Sequence, residues 1–502
     1  MDPEQKQMSV VTAAAIFKET DDLRFYVRNN YRKSMRYYKN RNDITRKNHG
    51  KSKADGSQDD SKNPLRHHDS RVSSNFHQLL VDQKASYTGS TPPAIDVDND
   101  KLNDAIMNTL GASYARTVQR LMVDASLAGI AWLHVWVDED GTFKFAIVSP
   151  DEVTPIYNNA LERKLQAVRR TYTKLDPADG QVYIIDEYWT DTEVSRFKRL
   201  RNTSYEAMII DEAYQIYDIN MPDNVASTNV MPNELGAIPF IPFPNNVEET
   251  PDLDKYKGLI DAYDLTFNGF VNDVEDVQQI IFVLTNYGSA DLHQFRDDLK
   301  RYKAINMEND GDGDPSGVST LKVDIPVEAR NSLLAQLLDN IFLQGQGVNP
   351  TKLELGNNSG VALKYLYSLL ELKASKLESE FRPGIETLIR FVLRHLGETE
   401  ADDVTIKQTW TRAAIQNDVE RADVAAKVAT FTSDEALARA NPIVEDWSEE
   451  LKLRQAQQNG TDDYDNNEAR QQLGEPDDQD DIQDDNPEEV PDENSDNNKE
   501  NK

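Results

Sequence analysis

The chain has 502 residues, enough for roughly two to four domains and a substantial core. It has no cysteine, which excludes disulfides, a thiolate metal site and a cysteine nucleophile. A formal charge of −33 argues against conventional DNA binding, because stable contact with phosphate needs compensating Lys and Arg.

That charge is unevenly placed. Arg24–Arg71 carries 14 basic and 5 acidic residues, whereas Thr461–Lys502 carries 17 acidic and 3 basic. The N-terminus lacks a basic segment leading into an apolar run, and nowhere do about eighteen apolar residues stand together. A soluble chain is expected, neither exported by a signal peptide nor membrane-spanning.

In chain order, residues 1 to about 30 read as helical, with Ala13–Phe17 as an apolar turn. The stretch from Asn29 to His68 mixes Tyr with Arg and Lys, then dissolves into Gly, Ser, Asp and Asn, which predicts a flexible loop over Gly50–Asn63. A helix over Ser74–Tyr87 stops at Gly89 and Pro92-Pro93, and an amphipathic helix is predicted for Asp100–Leu127. Alternation in Ala131–Val137 and Thr142–Val148 around Asp138-Glu139-Asp140-Gly141 makes a hairpin. Further strands follow to Asp218, and Pro239, Pro242 and Pro244 impose an extended exit from an α+β domain.

The most patterned stretch comes next. Tyr256, Leu259, Ile260, Tyr263, Phe267, Phe270, Val271, Val274, Val277 and Ile281 recur at the spacing of one helical face, while Asp261, Asp264, Asn268, Asn272, Glu275 and Gln279 occupy another. A helix from Tyr256 to Leu284 would run roughly 40 Å. A small mixed segment over Asn286–Asp324 separates it from a second helix, Val327–Leu343. A third helix is expected from Val361 to Leu396, bent or broken at Pro383-Gly384, then a strand in Asp403–Trp410 and helical pieces over Gln416–Leu453. The tail beyond Gly460 is too poor in aliphatic residues to fold.

Candidate chemistry is sparse. Asp310, Asp312 and Asp314 start like a calcium loop, but Pro315 stands where a glycine is needed and Leu321 where a bidentate Glu is needed, so a solvated loop is the better reading. The acids at Asp138 could be metal ligands of a nuclease, yet a hairpin turn asks for the same residues. His67-His68 lack a second ligand pair, and His77, His134, His293 and His395 are isolated. Neither a phosphate-cradling Gly-rich loop nor a nucleophile elbow occurs. Catalytic residues, metal and cofactors are therefore expected to be none. Arg24–Lys47 could stack on and neutralise nucleic acid, or Tyr26, Tyr31, Tyr37 and Tyr38 could be the buried side of a helix; the second is favoured.

Several segments, in order, carry a resemblance: "YYKNRNDI", "HQLLVDQKASYTG", "LAGIAWLHVWVDEDGTF" with "PDEVTPIY", "IPFIPFPNN", "KYKGLIDAYDLTFNGFVNDVEDVQQIIFVLTNYG", "KVDIPVEARNSLLAQLLDNIF", "GVALKYLYSLLELKASKLESEFRPGIETLIRF" and "TRAAIQNDVERAD". Across about 430 residues the chain resembles the portal proteins of tailed bacteriophages, in particular those of siphophages of Gram-positive hosts. The Gly50–Asn63 loop and the acidic tail match no pattern of that family.

The resemblance implies a portal-like α+β fold: a mainly helical stem and crown, an α+β wing and a small mixed clip. It implies a wing over 1–250, stem helices at 251–284 and 325–344, a clip at 285–324, a tunnel loop at 345–360, a long kinked wing helix at 361–397, a crown at 398–460 and a disordered acidic tail at 461–502. Tyr256, Leu259, Tyr263, Phe267, Phe270 and Val274 would then pack the stem, and Gly345, Gly347, Lys352, Asn357 and Asn358 would face the DNA channel. The function implied is a homo-oligomeric ring, dodecameric in the virion, at one capsid vertex. Double-stranded DNA passes through it, driven inward by the terminase large subunit, and the ring meets the major capsid and scaffolding proteins and a head-completion adaptor. No membrane is involved; assembly takes place in the host cytoplasm. The alternative from a different class is a carboxylate-metal nucleic-acid-processing enzyme.

Overall fold

The computed structural model describes residues 8–46, 69–218, 221–277, 281–285, 317–321, 326–352 and 360–413, with 427 and 433. The chain divides into two units, Met1–Ile415 and Gln416–Lys502. In the second, only Lys427, which is helical, and Ser433 are described. All elements below belong to the first.

The N-terminal helical region is two helices, α1 (Val10–Glu19) and α2 (Asp21–Tyr38). Ser9 caps α1 by accepting from the Thr12 N–H. Helix α3 spans Phe76–Gly89. The helix expected over Asp100–Leu127 is instead α4 (Asp100–Leu110) and α5 (Ser113–Ala128), broken at Gly111, whose φ of 63° ends a helix at low cost.

Strands β2 (Ile130–Val137) and β3 (Phe143–Val148) form the expected hairpin. The proline-rich exit is a third strand of that sheet. β12 (Phe240–Pro244) pairs antiparallel with β2, giving the order β12-β2-β3. Pro242 and Pro244 are tolerated because β12 is an edge. A larger antiparallel sheet, order β11-β7-β6-β5-β4, is built from β4 (Val153–Tyr157), β5 (Leu165–Leu175), β6 (Val182–Trp189), β7 (Glu193–Leu200) and β11 (Val230–Pro232), with β8 (Ile209–Ile210) on β7. Strands β9 (Tyr214–Asp218) and β10 (Met221–Thr228) pair with each other.

Helix α6 runs from Lys257 to Val277, after a 3₁₀ turn at Asp252–Lys255. It does not reach Leu284. Ile281–Thr285 is strand β13, paired antiparallel with β14 (Gly317–Leu321). A short run such as Ile-Phe-Val-Leu-Thr fits a strand as well as a helix, and its aromatic and β-branched side chains favour the strand. Helix α7 is Val327–Gly345 and α8 is Gly360–His395, which runs unbroken through Pro383. Gly384 is required by packing: a Cβ there would lie 2.6 Å from Phe243 Cε1 and 2.9 Å from the Pro242 carbonyl oxygen of β12.

The main core joins α4, α5, β2, β12 and α8 through Ile106, Val118, Leu121, Leu133, Phe243, Phe381 and Ile385. Ala401 belongs to it, and β15 (Lys407–Thr409) pairs with β1 (Ala94–Asp96). Residues 398–413 are thus built into this unit. Most of the expected clip and crown and all of the acidic tail lie outside the described residues. No helix among the described residues is long and apolar enough to cross a membrane.

Candidate functional site

The polar face of α6, carrying Asp264, Asn268 and Asn272, packs against an extended segment, residues 69–74. The backbone N–H groups of Ser70, Val72 and Ser74 donate to Asn272 Oδ1, Asn268 Oδ1 and Asp264 Oδ1 at 2.7, 2.7 and 2.9 Å. Asn268 Nδ2 donates back to the Val72 carbonyl at 2.7 Å, and Asn42 Nδ2 donates to the other Asp264 oxygen at 2.7 Å. The geometry follows from two repeats: four helical residues rise about 6 Å and two extended residues span about 6.6 Å, so side chains at i, i+4 and i+8 meet alternate peptide groups. One turn earlier, Lys257 bridges Asp43 and Asp261 at 2.7 and 2.6 Å, and Tyr37 donates to Asp261.

The apolar face docks on α2, α3 and α7. Tyr256 and Ile260 are buried with Tyr37, Leu80, Ile341 and Phe342; Leu259 and Tyr263 pack at the margin. Tyr256 shares a hydrogen bond with His77 Nδ1 (2.8 Å), whose Nε2 meets Ser34 Oγ (2.8 Å). Burial pushes His77 down to about 3, so it stays neutral. Phe267 stacks on Tyr263 at 6.4 Å, and Phe270 lies 5.5 Å from the Arg330 guanidinium of α7. Val274 is exposed, as are Leu265 on α6 and Leu333 and Leu343 on α7.

At the root of these helices lies a buried charge cluster that the sequence did not reveal. Asp252 Oδ2 accepts from Lys84 of α3 at 2.7 Å and Lys373 of α8 at 3.0 Å; all three side chains are almost fully enclosed. Asn245 accepts from Lys84 at 2.6 Å and donates to Asp252 Oδ1 at 3.0 Å. Lys373 also donates to the Gly345 carbonyl, 2.9 Å away, where the C-terminus of α7 favours a cation. Burial drives Lys84 down to about 7 and lowers Lys373. Burial opposes ionisation of Asp252 too, but Lys373 and Lys84 hold it well below the usual carboxylate range.

This cluster adjoins the expected channel residues. Gly345 and Gly347 are packing glycines. A Cβ on Gly345 would come 2.6 Å from Leu80 Cδ1, and one on Gly347 closer still. The left-handed residue is Gln346, at φ 53°. Beyond it, Gln83 exchanges two hydrogen bonds with Val348: Nε2 donates to the carbonyl at 2.8 Å and Oε1 accepts from the amide at 3.1 Å. Lys352 is exposed and paired with Asp339 of α7 at 2.7 Å. Asn357 and Asn358 lie outside the described residues.

The basic–aromatic stretch is divided. Tyr37 is buried, Tyr38 donates to Asp82 at 2.8 Å, Tyr31 is half-buried and Tyr26 is exposed. Arg32, Lys33 and Arg36 pair with Asp151, Asp254 and Asp43. Those charges tie α2 to its neighbours, which favours the fold-building reading. The acids at Asp138 form the β2–β3 turn, where the Gly141 N–H donates to the Asp138 carbonyl at 2.9 Å. Among the described residues no group of three or more His, Asp or Glu could hold a metal. The loop with Asp310, Asp312 and Asp314 lies outside them.

A model of the family described as phage portal protein, SPP1 Gp6-like, matches residues 22–464. The chain is 39% identical over 430 residues to the portal protein of Clostridium phage phiCD119, covering 83% of this chain and 90% of that protein. It is 31% identical over 431 residues to the portal protein of Bacillus phage SPP1, covering 84% and 82%. Among solved structures, a chain in the virion of a native gene transfer agent particle aligns at 12% identity with a TM-score of 0.39, covering 71% of this chain and 85% of that one.

Proposed function

The chain belongs to the SPP1 Gp6-like family of phage portal proteins, and we propose that it works as a ring of identical copies, dodecameric in the virion, at one capsid vertex. The ring is the conduit for DNA entering under the terminase motor and later leaving. It is also the platform for the scaffolding, capsid and head-completion proteins. No catalytic step is assigned to it.

One observation carries the ring reading. After α6 and α7 have packed on each other and on α3, Leu265, Val274, Leu333 and Leu343 still expose between 42 and 58% of their surface. Large aliphatic side chains left out along two adjacent helices are what side-by-side copies would cover. In this reading α6 and α7 form the stem, β13 and β14 lead into the clip, the segment after Gly345 approaches the channel, and the acidic balance of the chain lets DNA slide without counterion-release binding acting as a brake.

Deleting the gene from its phage and supplying the chain in trans tests this. Heads assembled without the chain should contain no packaged DNA, and supplying it should restore filling. DNA-filled heads in its absence would contradict the proposal.

A further inference from the structure

A cavity of about 430 Å³ opens beside β3, an edge strand of its sheet. Its walls include Tyr31 of α2, Arg120 and Asp124 of α5, His134 and Trp136 of β2, and Arg170 of β5. Asp124 is only 7% exposed. Among the described residues no donor hydrogen-bonds to it, and its ion pair to Arg120 Nε, 4.0 Å long, reaches a side chain that is 66% exposed. A buried carboxylate without a close partner is costly.

The other walls narrow what could partner it. Arg170 is engaged by Glu152 at 3.3 Å and Glu187 at 3.6 Å. His134 Nδ1 meets the Pro239 carbonyl at 2.8 Å; a carbonyl only accepts, so Nδ1 carries the hydrogen and the neutral ring keeps Nε2 as an acceptor. Burial holds that ring neutral by pushing it down to about 4. Trp136 lies against His134, centroids 5.7 Å apart and planes 19° from parallel, and is 36% exposed. A carboxylate, an imidazole acceptor and an indole face together suit a donor-rich cation. Glu152 also lines the cavity but is engaged with Arg170, and among the described residues no group of three or more His, Asp or Glu could hold a metal ion.

We propose that this cavity binds an organic cation, a guanidinium or alkylammonium group, with Asp124 as its counter-ion and Trp136 as its aromatic wall. Arg120 holds the acid loosely in the empty site and swings out when the cation enters. The group can come from a free small molecule or from an Arg or Lys of a second copy, and only the latter source rests on the ring reading above.

Two measurements test the site. Methylguanidinium and n-butylammonium chloride, titrated at pH 7.5 against sodium chloride of equal ionic strength, should bind saturably in isothermal titration calorimetry. Binding should weaken at least tenfold in Asp124→Asn and in Trp136→Leu, tighten in Arg120→Ala, and disappear at pH 5. In sedimentation, a tenfold weaker self-association of Asp124→Asn, restored by Asp124→Glu, assigns the cation to a neighbouring copy. Unchanged association together with saturable probe binding assigns it to a free molecule. If the chain does not self-associate at all, the probe titration alone decides. No saturable binding to the wild-type protein, with self-association unchanged in Asp124→Asn, would overturn the proposal.

Discussion

Val72 and Asn268 exchange two hydrogen bonds, one in each direction and each 2.7 Å long. The side-chain amide stands where a neighbouring β-strand would be, so an extended segment is held by a helix instead of a sheet. Gln83 makes the same exchange with Val348.

Replacing Asn268 with Leu should therefore leave the part-buried N–H and C=O of Val72 without their partner. A loss of about 1–3 kcal/mol is expected in urea unfolding, with faster amide exchange over 70–74. Asn268→Asp keeps the acceptor and should cost less. Equal stability of wild type and Asn268→Leu would mean that this exchange contributes nothing.

How far the sequence reached is visible on this helix. Its apolar periodicity marked Tyr256 and Ile260 correctly because a 3.6-residue repeat is local information. The fate of Asp264 and Asn268 was not legible, since a polar stripe reads as solvated unless the segment that covers it, 196 residues earlier for Asn268, is known. The Lys84–Asp252–Lys373 cluster was hidden for the same reason: three isolated charges acquire meaning only when α3, the 3₁₀ turn and α8 meet. Gly345 and Gly347 were noticed, but composition cannot distinguish a glycine that bends from one that lets Leu80 approach.

The glycines give the second expectation. Gly345→Val should drive a side chain into Leu80 and destabilise the chain by about 1–3 kcal/mol, an overpacking cost felt before any effect on DNA. Leu80→Ala should recover part of that loss in a double-mutant cycle. Strict additivity of the two substitutions would contradict the packing role.

The charge cluster gives the third. Asp252→Asn leaves two ammonium groups buried without a counter-ion, whereas Lys84→Met leaves the Lys373–Asp252 pair balanced. A loss of about 3–5 kcal/mol is expected for the first and a clearly smaller one for the second. The reverse order in chemical unfolding would show that the lysines are not sharing one carboxylate.

Asp124 gives a pH dependence. Burial raises it to about 6 from 3.8, with Arg120 offsetting only part. The folded chain then binds more protons than the unfolded one between those values, so this group's contribution to stability falls as pH rises from about 4 to 6. Asp124→Asn lacks that fall. Its stability relative to wild type should grow across this window to roughly 2 kcal/mol at pH 7, without added cation. A constant difference from pH 4 to 7 would contradict the burial of an ionised, poorly partnered acid.

The most direct measurement of the central claim is the mass and shape of the purified full-length chain at micromolar concentration, by sedimentation velocity and electron microscopy of single particles. A closed ring with an axial channel is expected, near 680 kDa if twelve copies of the 56.9 kDa chain assemble. A monomer at every concentration tested, above all one that cleaves DNA when a divalent metal is added, would contradict it.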